Sequence, residues 1–86
     1  MLAPSLDPQT TIVTAHAKQR YSDRRSTSRA AVEAGIQRLL DAAARRPTPP
    51  LHYGTDGCSR RFVVVSGFVL VFNSDMSTLI TLWRQR

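Results

Sequence analysis

The sequence FVVVSGFVLVF, residues 62–72, places two runs of valine, phenylalanine and leucine on either side of Ser66 and Gly67. β-Branched and aromatic residues favour strands, so Arg60–Ser66 and Phe68–Phe72 are predicted as two strands joined at a tight turn or bulge at Gly67. The apolar stretch is about half as long as the roughly 20 residues that a membrane-spanning helix needs. No membrane span is therefore predicted.

Further strands flank this pair. Thr78–Trp83 follows the turn-forming sequence Asn73-Ser74-Asp75 and is predicted as the last strand. Leu51–Tyr53, just after the proline-rich residues 47–50, is a weaker strand prediction. The second half of the chain is thus expected to form three or four antiparallel strands.

Two helices are predicted ahead of the strands. Thr14 is suited to cap a first helix from Ala15 to about Arg24. Serine and threonine at residues 26–28 offer a second N-cap, and the helix that follows should end before Pro47. The apolar face of this second helix recurs at helical spacing and consists of Val32, Ile36, Leu39, Leu40 and Ala43.

The order of these elements defines the expected fold. Helices at one end of the sequence and a strand meander at the other predict an α+β class, with two N-terminal helices packed on one face of a three- or four-stranded antiparallel sheet. The opposite sheet face is then expected to be open. A chain of 86 residues has room for one core, so residues 12–86 are predicted as a single α+β domain behind a flexible leader of residues 1–11.

The charge of the chain points to a polyanionic partner. Twelve Lys and Arg against six Asp and Glu give a net charge of +6, and all but one of the twelve cations are arginine. Guanidinium groups bind phosphate through paired hydrogen bonds and stack on bases, although arginine in place of lysine is also typical of GC-rich genomes. RNA, another nucleic acid or an acidic protein is the expected partner. Cys58 is the only cysteine, which excludes an intramolecular disulfide and fits a reducing, cytoplasmic location.

A cationic stripe is predicted along the first helix. His16, Arg20 and Arg24 recur every four residues and therefore stack on one side of it. His16 lies in the first turn, where the positive end of the helix dipole favours a neutral ring that can accept a proton. Such a histidine is suited to deprotonate a ribose hydroxyl while arginine stabilises the pentavalent phosphorus transition state. The alternative is an ordinary solvated cationic helix.

The last strand offers a second candidate surface. If Ile80 and Leu82 enter the core, Thr81 and Trp83 point outward. A hydroxyl beside an indole is suited to hold a phosphate oxygen and to stack a base. Arg61 is a further candidate for binding substrate on the same open face. The alternatives are that Trp83 covers the edge of the core and that Arg61 only solubilises a strand edge.

Other chemistries have no support in the sequence. The histidines have no carboxylate at metal-binding spacing, and the glycines match no phosphate-binding loop. No metal site and no cofactor are therefore predicted.

A family resemblance combines these features. Residues 12–20, with the sequence IVTAHAKQR, resemble the opening T/S-x-H-A-x-x-R of small bacterial and phage proteins in the barnase, EndoU, colicin and RelE-like ribonuclease superfamily. The resemblance continues to residue 83 in the order and type of the predicted strands, namely Arg61–Val65, Phe68–Phe72 and Leu79–Trp83. Asp23-Arg24 also fits the family pattern, whereas Arg25-Ser26 stands where Gly-Ile is usual.

The resemblance implies both a fold and an activity. Members have two N-terminal helices on a four-stranded antiparallel sheet, and many cleave RNA without metal to leave a 2′,3′-cyclic phosphate. By residue match, His16 would act as general acid or base, and Arg20 and Arg24 would hold the phosphate. Thr81 on the last strand would assist.

Two functions are expected from these observations. The first is a toxin-like, metal-independent endoribonuclease that catalyses 2′-hydroxyl attack through histidine and arginine, with an acidic antitoxin, immunity or host protein as partner. The second is a non-catalytic basic protein, as phage inhibitors of host enzymes are, which uses the cationic face to bind nucleic acid or a host protein. A homodimer formed through an exposed strand edge is a further alternative.

Overall fold

The structure, a computed structural model that describes residues 5–23, 28–55 and 57–85, contains two helices and five strands. They are β1 (Ile12–Val13), α1 (Ala15–Asp23), α2 (Arg29–Ala44), β2 (Leu51–Tyr53), β3 (Ser59–Val65), β4 (Phe68–Asn73) and β5 (Thr78–Arg84). The α+β class with two helices ahead of the main strands is confirmed. Neither described helix has the length and apolar character needed to cross a membrane.

The sheet is ordered β1-β5-β4-β3-β2. Its four later strands form the predicted antiparallel meander. Ser66 and Gly67, with φ of 50° and 80°, make the two-residue turn between β3 and β4. Two positive φ values match the right-handed twist of the strands on either side of such a turn. Beyond the last strand, the Gln85 N–H donates to the Gly67 carbonyl at 2.8 Å.

The first strand, β1, is an addition to the predicted sheet. Ile12 pairs with Thr78 and Val13 with Leu79, and these strands run parallel. Two residues are too few to show an alternating pattern, so sequence periodicity gives no sign of this strand. The sheet is therefore mixed and five-stranded rather than antiparallel with three or four strands.

Thr14 connects β1 to α1 and to β5. Its N–H donates to the Leu79 carbonyl at 3.2 Å, and its hydroxyl donates to the Ile80 carbonyl at 2.6 Å. The same hydroxyl oxygen accepts a hydrogen bond from the Ala17 N–H at 3.1 Å, which confirms Thr14 as the cap of α1. One threonine thus fixes where the strand stops and where the helix starts.

Residues 5–11, which belong to the predicted leader, contact the helical layer. Leu6 packs against the core, and Gln37 of α2 donates to the Pro8 carbonyl at 2.9 Å. The Asp7 carbonyl accepts hydrogen bonds from the N–H groups of Thr10 and Thr11. Residues 1–4 lie outside the described part of the chain.

The core lies between the two helices and one face of the sheet. All five residues predicted for the apolar face of α2 are buried. From α1, Ala17 and Tyr21 enter the core, and the Tyr21 ring stacks on Phe68 with centroids 5.6 Å apart. A Cβ at Gly35 of α2 would lie 2.6 Å from Cζ of Tyr21, so glycine is required for the close approach of the two helices.

A β-bulge in β5 alters which of its residues enter the core. The pairing of β5 with β4 shifts at Ile80, which is the extra residue. Leu79 and Leu82 consequently both face the helices with no exposed surface. Of the two residues on whose burial the predicted orientation of β5 depends, Leu82 is buried but Ile80 is only half-buried, because the bulge breaks strict alternation. Thr81 and Trp83 lie on the sheet face away from the helices, as expected.

The turn between β4 and β5 is held by polar side chains and by one buried anchor. Asp75 Oδ1 accepts hydrogen bonds from the Ser77 hydroxyl at 2.6 Å and the Ser77 N–H at 3.0 Å. These bonds, the hydroxyl first, hold the pKa of Asp75 below its ordinary value of 3.8. Asn73 Oδ1 accepts from the Thr78 N–H at 3.0 Å. Met76 adopts a φ of 65°, and burial of its side chain in the core compensates for that strained backbone.

Candidate functional site

The sheet face that turns away from the helices, here called the open face, carries a second set of apolar side chains. On β3, Val63 and Val65 face the helices, so Phe62 and Val64 lie on the open face. Large apolar residues on this face keep substantial exposure: 63% for Ile12, 36% for Phe62, 44% for Val64 and 41% for Trp83. No described helix covers them. Several exposed apolar side chains on one sheet face make this face a candidate interaction site.

An aromatic row crosses the open face from β2 to β5. The His52 ring meets Phe62 edge-on, with centroids 5.4 Å apart and an interplanar angle of 66°. Phe62 in turn meets Trp83 across β4, with centroids 6.4 Å apart and an angle of 59°. Edge-to-face and tilted pairs at these distances are favourable ring geometries. We call His52, Phe62 and Trp83 the aromatic row.

The aromatic row rests on valine side chains of β4. Val71 pairs with Phe62 on one side and with Thr81 on the other. It is only 2% exposed although it faces away from the helices and stands outside the main core cluster. Its burial therefore comes from side chains of the open face itself. The aromatic row therefore has a packed apolar layer on β4 beneath it in the absence of a ligand.

Polar and cationic groups border the row. Arg60 lies opposite both His52 and Asn73 in the strand register, two residues before Phe62 on the same face. Thr81, a predicted site residue, lies at the β5 end of the strand register that contains Phe62 and Val71. The open face therefore combines exposed rings, a guanidinium and a hydroxyl, which are groups that suit bases and phosphates.

The predicted catalytic stripe lies elsewhere, on α1. His16 and Arg20 are both exposed and one helical turn apart. Each directly precedes a core residue, Ala17 or Tyr21. Lys18 on the other flank of α1 forms a 3.8 Å ion pair with Glu33 of α2. His16 and Arg20 therefore lie on the flank of α1 that faces away from α2.

The structure does not bring all predicted site residues to one surface. Helix α1 packs against β5 from the core side, whereas Thr81 and Trp83 lie on the open face. β5 consequently separates His16 and Arg20 from Thr81. Arg24, the third member of the predicted stripe, lies outside the described residues.

Arg61, a predicted substrate-binding residue, is engaged in backbone contacts. It pairs with Phe72 in the register and is half-buried on the helix side of β3. Its Nε donates to the Ser74 carbonyl at 2.7 Å, and its Nη1 donates to the Pro49 carbonyl at 2.6 Å. The side chain therefore ties the β4–β5 turn and the proline-rich segment to β3.

Sequence reasoning missed two members of the aromatic row. The sequence predicts Phe62 only as a strand residue, and it predicts His52 as a bystander in a loop or edge strand, with a second catalytic histidine as the alternative. The signal was the alternation of Arg60, Phe62 and Val64 with the core valines, which places a cation and a ring on one face. The contact between Phe62 and Trp83 has no such signal, because it spans three strands.

The described residues hold no group of three His, Cys, Asp or Glu side chains placed to bind a metal ion. Comparison with known proteins identifies no relative for the chain: no family model, no curated protein and no solved structure matches it.

Proposed function

We propose that this protein binds single-stranded nucleic acid, with RNA as the expected ligand, on the open face of its sheet and does not cleave it. Bases stack on Phe62 and Trp83, while arginine neutralises the phosphates. The observation that supports the proposal is the exposed aromatic row on the open face of a chain with net charge +6.

The energetics favour single strands over duplexes. Base stacking on an aromatic side chain stabilises binding by about 1–3 kcal/mol per base and is open to any base, because every base has a π-face. A duplex keeps its bases stacked on one another, so they are not accessible to Phe62 or Trp83. Arginine beside the rings adds an attraction for phosphate that is independent of sequence.

Binding fits the positions of the site residues better than cleavage. The predicted acid–base mechanism requires a histidine, an arginine and Thr81 at the same phosphate. In the structure β5 stands between His16 and Thr81. The endoribonuclease activity and the superfamily resemblance stay predictions, and the experiment below tests the activity as well.

Trp83 is the only tryptophan in the chain, so its fluorescence reports on the open face directly. We expect single-stranded RNA of about ten nucleotides to quench this fluorescence and to bind less tightly as salt rises, because bound phosphates release counterions. The matching duplex should quench far less. Absence of quenching at low salt would contradict the proposal.

A matched pair of variants tests the aromatic row. Phe62→Ala should weaken RNA binding about 5- to 150-fold, which corresponds to one stacked base. Tyr53→Ala is the control, because Tyr53 is 78% exposed and belongs to the same sheet but alternates away from the face that holds His52. Equal losses in both variants would show that stacking on the open face does not carry binding.

Gel analysis of the same RNA, incubated in chelator, separates binding from cleavage. We expect intact RNA. Products that accumulate with the parent chain and vanish with His16→Ala would instead establish the metal-independent ribonuclease.

A further inference from the structure

The outer edge of β5 is covered by β1 over only part of its length. β1 pairs with Thr78 and Leu79, and the Thr14 hydroxyl donates a hydrogen bond to the Ile80 carbonyl. In the described part of the chain, β5 beyond that point has β4 on one side and no strand on the other. An uncovered strand edge is a template for pairing with another chain.

The register shows which backbone groups point outward at this edge. The Gln85 N–H donates to the Gly67 carbonyl, so residue 85 faces β4. Alternation then directs the N–H and C=O groups of Trp83 toward β4 as well. Those of Leu82 and Arg84 consequently point away from the sheet. Within residues 5–23, 28–55 and 57–85, two N–H and two C=O groups thus point outward with no strand beside them.

A histidine and an arginine border the edge on its helix side. Helix α1 follows β5, since Thr14 at its start contacts Ile80 and Tyr21 near its end stacks on Phe68, which pairs with Arg84. α1 packs over β5 while α2 packs over β3, so the flank of α1 away from α2 is the flank nearest the edge. That flank carries His16 and Arg20.

The two sides of the edge differ in character. The helix side has His16 and Arg20, with Arg84 contributed by β5 itself because it shares the face of Phe68. The open-face side has Trp83, which is 41% exposed. An added strand whose side chains alternate between carboxylates and apolar groups would satisfy both sides at once.

We propose that an extended acidic segment of a partner protein adds to the sheet along the Leu82–Arg84 edge. Its backbone pairs with Leu82 and Arg84, its carboxylates contact His16 and Arg20, and an apolar side chain covers Trp83. Charge selects this occupant over a second copy of the chain, because two copies would align two sets of cations along one seam. The proposal does not depend on nucleic-acid binding.

A synthetic octapeptide of alternating Glu and Val, capped at both ends, is a suitable probe. We expect it to slow hydrogen exchange of the Leu82 and Arg84 amides by at least about tenfold and to change Trp83 fluorescence. An octapeptide of alternating Lys and Val should do neither. Equal effects of the two peptides would overturn the proposal. Protection of the Leu82 and Arg84 amides without any peptide, increasing with protein concentration, would overturn it in favour of a homodimer.

Two pairs of variants separate backbone pairing from charge. Arg84→Pro removes an outward N–H, a change that an edge strand tolerates, and should abolish peptide binding. Arg84→Gln removes only the charge and should retain part of the peptide binding. Arg20→Glu should weaken binding at least about threefold, and Arg38→Glu, an equal charge change on the exposed side of α2, should have a smaller effect. If Arg38→Glu weakens binding as much as Arg20→Glu, the edge is not the site. The exchange measurement on the parent chain decides the question even if Arg84→Pro fails to fold.

Discussion

The two faces of the sheet are built from the same kinds of residue but differ in how much of each side chain is exposed to solvent. On the helix side, Val63, Val65 and Leu70 are at most 6% exposed. On the open face, Phe62 and Val64, which alternate with two of them, keep 36% and 44% of their surface exposed. The comparison shows that the described helices bury the side chains of one face and leave those of the other partly exposed to solvent. Stability and binding should therefore respond to different substitutions.

The largest effect is expected from a pair of phenylalanines on opposite faces. Phe72→Ala should lower the free energy of unfolding by about 3–5 kcal/mol, because Phe72 has no exposed surface and its loss leaves a cavity. Phe62→Ala should lower it by about 1 kcal/mol, through partial exposure of Val71, yet reduce RNA binding. Urea unfolding and Trp83 fluorescence titration measure the two quantities. Equal losses of stability would break the distinction between the faces.

The contact between the helices gives the next largest effect. Gly35→Ala should destabilise the fold by about 1–3 kcal/mol, since the new methyl group overlaps the buried Tyr21 ring. In a Tyr21→Ala background the same change should instead stabilise by up to about 1 kcal/mol, the helix propensity gained over glycine. Thermal unfolding of the four chains in this double-mutant cycle measures the coupling. Additive effects would show that the close approach imposes no constraint.

Arg61 tests whether a predicted binding residue is structural. Arg61→Gln should destabilise by about 1–2 kcal/mol, because the Ser74 and Pro49 carbonyls lose hydrogen bonds from a half-buried charged donor. Arg20→Gln, which removes the same charge from an exposed position, should change stability by less than about 0.5 kcal/mol. Denaturant unfolding compares the two variants. A stable Arg61→Gln chain with weakened RNA binding would restore the role predicted from the sequence.

The smallest effect concerns acid stability at the β4–β5 turn. Because the pKa of Asp75 is lowered in the folded state, its hydrogen bonds stabilise the fold above pH 3.8 and that contribution is lost as pH falls through the folded value. Asp75→Asn should therefore flatten the fall of stability below pH 3.8. Asp41→Asn, on the exposed side of α2, controls for the change in net charge. Identical acid profiles for the parent and Asp75→Asn would show that the Ser77 bonds contribute nothing.

The fold was predictable where one element carries its own pattern. The apolar face of α2, the Thr14 cap and the strands around Gly67 all follow from local spacing and turn chemistry. β1 has only two residues and gains its hydrogen bonds from residues 77–80, more than 60 positions away along the chain. The bulge at Ile80 likewise depends on the register against β4, which local alternation does not contain.

The candidate site was likewise predictable only where it depends on local spacing. The spacing of His16 and Arg20 correctly predicts that both are exposed along one flank of α1. The sequence does not show that β5 lies between them and Thr81. It also does not show that Arg61 turns to backbone carbonyls instead of the open face, because those acceptors come from segments 12 and 13 residues away.

By itself the sequence determined the class of the fold, the two helices, the antiparallel strands and the positive charge, because each depends on propensity, periodicity or composition within a short window. Only the tertiary structure decided which residues share a surface. Phe62 meets both His52 and Trp83 because four strands, β2 to β5, pair side by side. His16 stands apart from Thr81 because a helix packs on only one face of a sheet. Contacts between distant segments follow from packing, and packing is a property of the whole chain.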